Sequence, residues 1–269
     1  MPTPIPLDLH NHHRRCGHAR GELEDYVAHA AEVGLATLGV ADHAPRFAHA
    51  ADHPLPGIQM ARSEYPSYLA EVRELQARYA ERLELLVGIE ADFIPGREAT
   101  YRDALAASGL DYVIGSVHEW DGVHVYNPHS WDGRDRHALY RGYFAHLRAA
   151  VRSGLFDVLA HLDAVKVYGP DVFDLAADEI EPTLDAIAAS GIVVEINTAG
   201  MRKCGEVFPR PSLIAALFER GVRFTFGSDA HAPSELAHGA AEVARLLDRL
   251  GIDELVSFRE REPRLVSIC

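Results

Sequence analysis

Short runs of Val, Ile and Leu alternate along this chain with longer stretches in which apolar residues recur every three or four positions. The short runs are Ile5–Leu9, Thr37–Ala41, Glu84–Ile89, Tyr112–Ser116, Val158–Ala160, Ile192–Ile196 and Arg223–Gly227. In the longer stretches Tyr140, Tyr143, Phe144, Leu147 and Val151 share one helical face, as do Ile180, Leu184 and Ile187. Gly34, Gly154, Gly191, Gly221 and Gly251 each follow such a stretch, where a helix C-terminus favours a left-handed residue. Strand, helix, glycine and strand again predict βαβ units and a parallel sheet. With 269 residues, no internal repeat and no linker composition, one α/β barrel domain spanning residues 1–269 is expected. Ala44–Arg62, Glu119–Arg136 and Thr198–Pro211 are too irregular to be simple connections, and barrel enzymes keep substrate contacts in such loops.

The residues that follow the apolar runs turn this fold into a candidate site. The first run leads into D-L-H-N-H-H, the second into A-D-H, the third into G-I-E-A-D and the fourth into G-S-V-H. The fifth leads into A-H-L-D, the sixth into E-I-N-T and the seventh into G-S-D-A-H. Strands of a parallel barrel point the same way, so their C-terminal ends meet on one face. A single buried His is more often a satisfied core group than a ligand; a ligand type at every strand end is not explained that way. The two-residue strand period puts Asp8, His10 and His12 on one side and His13 on the other. His10 and His12 are the expected ligand pair, with Asp8 as the carboxylate that fixes an imidazole tautomer. Asp229 and His231 repeat the alternation after the last run.

The full candidate set is His10, His12, His18, His43, Glu90, His118, His161, Asp229 and His231. So many imidazoles suit Zn, Mn or Fe better than Mg or Ca. The set exceeds the needs of one ion with about four to six ligands, so two or three divalent transition-metal ions are expected, with Glu90 as the bridge. Cys16, close to His18, reads as a small buried thiol. His29 and His146 lie in helical patterns, and His49, His53, His124, His129, His137 and His238 lie in loops or near helix ends, one of the loop histidines being placed to touch substrate.

Formal net charge is −14, with Lys and Arg scattered singly or in pairs. No basic stripe exists to hold a nucleic-acid backbone, so neither a nucleic-acid nor a membrane partner is expected, and an anionic substrate must be drawn by local charge such as bound metal. Cys16, Cys204 and Cys269 form no C-x-x-C pair, no apolar run reaches membrane-spanning length, and no targeting segment is apparent at the start, so a cytoplasmic protein is expected. Nothing in the sequence sets the oligomeric state.

Taken in order, D-L-H-N-H, His18, A-D-H at His43, G-I-E-A-D at Glu90, G-S-V-H at His118, A-H-L-D at His161 and S-D-A-H resemble the polymerase-and-histidinol-phosphatase (PHP) superfamily, over residues 8 to about 232. The stretches G-I-E-A-D-F-I-P-G, D-Y-V-I-G-S-V-H and N-T-A-G-M-R-K look most like its histidinol-phosphatase branch. The resemblance implies a distorted (β/α)7 barrel with a trinuclear centre at the C-terminal strand ends. It groups His10, His12, Glu90 and Asp229 on one ion, Glu90, His118 and His161 on a second, and His18, His43 and His231 on a third. The substrate it implies is L-histidinol phosphate, a small phosphorylated molecule hydrolysed in histidine biosynthesis.

A metal cluster offers a water of lowered pKa and positive charge for the phosphoryl oxygens. Arg202 and Lys203 are the candidate phosphate contacts, and Asp229 or His231 the candidate proton donor to the departing alkoxide. Glu119, Asp121, Asp132 and Asp163 follow strand ends and are placed to meet the cations of the substrate. Alternatives are a phosphoesterase acting on nucleotides or another small ester, and a metal-dependent amidohydrolase, which would want a Lys after a strand.

Overall fold

The computed structural model describes residues 4–268. Its strands are β1 Leu7–Asp8, β2 Thr37–Val40, β3 Glu84–Val87, β4 Glu90–Asp92, β5 Ile114–Ser116, β6 Glu119–Trp120, β7 Val123–His124, β8 Val158–Leu159, β9 Val193–Asn197, β10 Phe224–Gly227, β11 Glu254–Arg259 and β12 Glu262–Ser267. The helices are α1 Leu23–Val33, α2 Tyr65–Tyr79, α3 Glu98–Ala106, α4 Arg136–Arg152, α5 Val172–Leu175, α6 Ala177–Ser190, α7 Ala199–Cys204, α8 Pro211–Glu219 and α9 Ala240–Leu250.

Parallel pairing runs β1-β2-β3 and then β4-β5-β8-β9-β10. The third apolar run supplies both β3 and β4, and its backbone stays bonded to both neighbours between them: Gly88 N donates to Val40 O at 2.8 Å and Ile114 N to Ile89 O at 2.9 Å. The two ends of the series also meet. Leu9 N donates to Phe226 O at 3.0 Å, Asp229 N to His10 O at 2.7 Å and His12 N to Ala230 O at 2.8 Å. Seven strand positions thus close into a barrel, the expected fold, and parallel strands deliver all seven C-terminal ends to one face.

Tyr112 fills the other end. A Cβ at Gly39 or Gly88 would overlap its ring, and its hydroxyl donates across to Leu9 O at 2.6 Å. The α4 face of Tyr140, Tyr143, Phe144, Leu147 and Val151 is buried against the core, as periodicity predicts. Among the described residues no helix is long and apolar enough to cross a membrane.

Two of the irregular segments contain more order than their patterns indicate. Residues 119–136 form the β6–β7 hairpin and a 3-10 turn, and residues 198–211 contain α7, too short to register as a period. The hairpin β11–β12 packs beneath the barrel, with Phe258 stacked on Tyr112 at 5.9 Å between centroids and Arg261 N donating to Asp111 O at 2.9 Å.

Candidate metal centre

The strand ends bring the imidazoles together with fixed orientation. His10 turns Nδ1 to Glu195 Oε1 at 2.6 Å, His12 turns Nδ1 toward Asp42 Oδ1 at 3.3 Å, and His118 turns Nδ1 to Asp92 Oδ1 at 2.7 Å. An imidazole that donates from Nδ1 presents the lone pair of Nε2, the state a metal ligand needs. Those Nε2 atoms converge. His10 and His12 face each other at 3.1 Å, His12 Nε2 lies 3.2 Å from Asp229 Oδ1, and both lie 3.6–3.7 Å from Glu90 Oε2. Two ligands about 2.1 Å from one tetrahedral ion stand roughly 3.4 Å apart, so the spacing is that of a coordination shell.

Glu90 is central. His118 and His161 approach Oε1 with Nε2 at 3.7 and 3.3 Å, while His43 Nδ1 lies 2.7 Å from Oε2. Yet Oε2 is buried and accepts no well-formed hydrogen bond, an orphaned charge of the kind a cation satisfies. Groups of donor atoms close enough to share an ion are His10, His12 and Asp229; His43, Glu90 and His118; and His12, His43 and His231. His18 stands at the mouth, its ring 4.8 Å from that of His231 and 5.3 Å from that of His43.

Electrostatics follow from this crowding. Burial by itself lowers the proton affinity of His10 and His12, but Glu195 and Glu90 around the first, and Asp229 and Asp42 around the second, outweigh it; His10 rises well above the ordinary imidazole value and His12 to about 9. Burial works against the charged forms of Glu90 and Asp229, and the surrounding imidazoles overcome it, holding both well below the usual carboxylate range. At His18 and His231 the nearby carboxylates do not outweigh burial. Burial and neighbouring histidines depress them to about 4 and about 3, leaving neutral imidazoles. Backbone strain marks the same place: Asp229 has φ 51° and His161 φ 21°, held by Asp229 N to His10 O and by His161 N to Glu195 Oε2 at 3.1 Å.

Sequence reasoning missed the carboxylates that do the orienting. Glu195 is buried in the middle of an apolar strand, Asp42 immediately precedes a ligand, and Asp92 lies two residues beyond Glu90 on the same strand side; each was a readable signal. Asp8 is not one of them. Its oxygens accept from Ser228 N and Ala237 N, both at 2.9 Å, so it ties β1 to the segment after β10 rather than fixing a tautomer. His13 is not among the converging ligands: its Nδ1 lies 3.2 Å from Asp42 Oδ2, on the far side of that carboxylate from His12, and 3.4 Å from Arg15 N at the start of a 3-10 turn. Cys16 is a buried thiol donating to His13 O at 3.1 Å; Cys16 and Cys204 are free, and Cys269 lies outside the described residues.

The cluster floors a cavity of about 370 Å³ whose wall includes Arg46, Ile58, Glu119, His124, Tyr126 and Lys203. Lys203 borders it. Arg202 does not: its guanidinium donates to Asp229 O at 3.2 Å and lies 3.5 Å from Glu235. Of the four acids expected to meet substrate cations, only Glu119 lines this cavity, 2.9 Å from Arg46. Asp163 is wholly buried against Lys166 at 3.1 Å, while Asp121 and Asp132 border other clefts. Lys166, which follows the fifth strand, is engaged with Asp163, Glu206 and Val207 O.

The PHP domain matches residues 8–199. The chain belongs to the PHP family. A Deinococcus radiodurans protein named "Probable histidinol-phosphatase" is 39% identical to this PHP chain over 263 residues, covering 95% of it and 97% of the relative. A Schizosaccharomyces pombe protein of the same name is 25% identical, covering 93% and 89%. Among solved structures, the Lactococcus lactis histidinol phosphate phosphatase, complexed with zinc, L-histidinol and phosphate, superposes with a TM-score of 0.82 at 23% identity, covering 96% of this PHP chain and 98% of the other. The likeness to the D. radiodurans and L. lactis proteins covers more of the chain than the matched domain does.

Proposed function

We propose that this chain is a metal-dependent phosphomonoesterase, a histidinol-phosphatase that hydrolyses L-histidinol phosphate to L-histidinol and phosphate in histidine biosynthesis. The observation that carries this reading is the convergence of imidazole Nε2 atoms and two ionised carboxylates around Glu90 at coordination spacing. The full-length likeness to the D. radiodurans protein supports the choice of substrate.

Two or three divalent ions, Zn, Mn or Fe, fit the donor set. His10, His12, Glu90 and Asp229 would hold one, Glu90 with His118 and His161 a second, and His18, His43 and His231 a third. His43 lies as close to Glu90 as to its own group, so it is the ligand best placed to join the second and third positions. Bound there, the ions supply a water of lowered pKa and positive charge for the phosphoryl oxygens. The chain's own groups do the rest. Lys203 presents an ammonium to the phosphate, and Arg46 adds a second cation to the wall. Glu119 offers a carboxylate to a cationic alcohol, with His124 beside it. Asp229 and His231 both border the cavity beside the cluster, and one of them would pass a proton to the departing alkoxide. Arg202 positions Asp229 by gripping its carbonyl. We take residues 1–269 as one such domain, working in the cytoplasm.

The test is a phosphate-release screen on metal-analysed protein. L-histidinol phosphate is expected to exceed nucleoside monophosphates, sugar phosphates and an aryl phosphodiester in kcat/KM by about a hundredfold. Equal turnover of a nucleotide or diester would move the protein to another branch of the family.

A further inference from the structure

Tyr126 is a cavity residue to which the metal reading assigns no task. The β6–β7 hairpin folds it back over the cluster: Val125 N donates to His118 O at 2.8 Å and Tyr126 N to His124 Nδ1 at 3.1 Å. Its ring stands edge-on to His161 with centroids 6.3 Å apart and lies 5.9 Å from the ring of His118. The Lys203 ammonium sits 4.3 Å from the centre of that ring, and both side chains border the cavity. The Tyr126 hydroxyl oxygen is buried and has no hydrogen-bond partner among the described residues.

We propose that Tyr126 is a catalytic residue whose hydroxyl donates a hydrogen bond to a non-bridging oxygen of the bound phosphoryl group, while its ring face holds Lys203 against the same group. A buried tyrosine hydroxyl ordinarily finds a partner, because leaving the donor unpaired carries a desolvation penalty. This one borders a cavity floored by imidazoles and carboxylates, where a phosphate oxygen is an acceptor that arrives with the substrate. The ring quadrupole attracts the ammonium, so one side chain supplies a donor and fixes a flexible cation. No bond to Tyr126 forms or breaks. The inference rests on the phosphomonoesterase reading, and its test separates the two.

Metal-loaded protein, Tyr126→Phe, Tyr126→Leu and Lys203→Ala are compared for calorimetric binding of inorganic phosphate, turnover of histidinol phosphate, metal content and Tm. Tyr126→Phe keeps the ring and removes the hydroxyl. It is expected to keep its metals and Tm, to bind phosphate about tenfold more weakly, and to lose about tenfold to a hundredfold in kcat/KM. Tyr126→Leu, which also releases Lys203, should lose more. Tyr126→Phe within about twofold of the parent on both measures, or losing metal in step with activity, would overturn the proposal. A parent protein that binds phosphate but turns over no phosphomonoester would instead remove the enzymatic reading, with the phosphate affinities still judging Tyr126.

Discussion

Glu195 shows how much of this site depends on one buried carboxylate. It takes the Nδ1 proton of His10, the backbone N–H of His161 and an amide hydrogen of Asn197 at 2.6, 3.1 and 3.0 Å. It thereby sets a tautomer and a strained backbone at once. Glu195→Gln should cost about tenfold to a hundredfold in metal affinity or activity while circular dichroism stays unchanged. Mass spectrometry of metal content after dialysis reads the difference, and full retention of metal and rate would contradict the role. A companion comparison separates the cluster from the turn that follows β1. Glu90→Gln removes a charge that five imidazoles approach, whereas His13→Gln alters a turn cap that meets the cluster only through Asp42, so the first should lose far more activity. Equal losses would place His13 in the chemistry.

At the scale of elements, strand register delivers the ligands and small residues make room for their partners. Gly227 on β10 is the sharpest case. A Cβ there would overlap Glu195 Oε1 and lie 2.6 Å from His10 Cβ, so Gly227→Ala should dislodge the pair that orients His10. The expected result is a fold that survives with metal loss and activity reduced at least about tenfold; a variant with parental metal content would show that β9 and β10 can separate at no cost to the site. The β11–β12 hairpin supplies the contrasting test. Phe258 is buried at the end of the barrel opposite the ligands, stacked on Tyr112. Phe258→Ala should destabilise by about 3–5 kcal/mol in denaturant melts while the surviving folded protein keeps its kcat. Loss of kcat without loss of stability would tie the hairpin to the site.

For the molecule as a whole, metal binding, folding and protons are linked. Ligand imidazoles bind an ion only when the coordinating nitrogen is free of its proton, so ions and protons compete. In the metal-free protein the carboxylates raise His10 and His12 above the ordinary value, so the pair must give up proton as an ion enters. Zinc affinity should therefore fall as pH falls from about 8 to 6, with proton release visible as a buffer-dependent calorimetric heat. A flat affinity across that range would mean that ions bind elsewhere. Chelation should abolish activity and lower Tm, and Zn, Mn or Fe should restore both. With a net charge of −14, attraction of a phosphate falls to the local field of the site.

The seven strand positions, the helical faces of α4 and α6 and the ligand types at the strand ends are properties of neighbouring residues, and the sequence alone determines them through the periods of strand and helix. The PHP likeness was readable for the same reason, because each motif is a short run tied to one strand end. What the tertiary structure decided are relations between residues far apart in the chain. Asp8 follows the strand period of His10 and His12, yet its oxygens are taken by Ser228 N and Ala237 N, about 220 positions away. Glu195 reaches His10 only because the barrel packs β9 behind β1 and leaves Gly227 bare between them. Arg202 and Lys203 are adjacent in sequence, but α7 turns one to the backbone of Asp229 and the other to the cavity, since successive helical residues point about 100° apart. Asp163 follows a strand end as the ligands do, and the packing of Lys166 and Val207 buries it. Local periodicity records which face a residue takes; which partner waits on that face is set by the closure of the barrel.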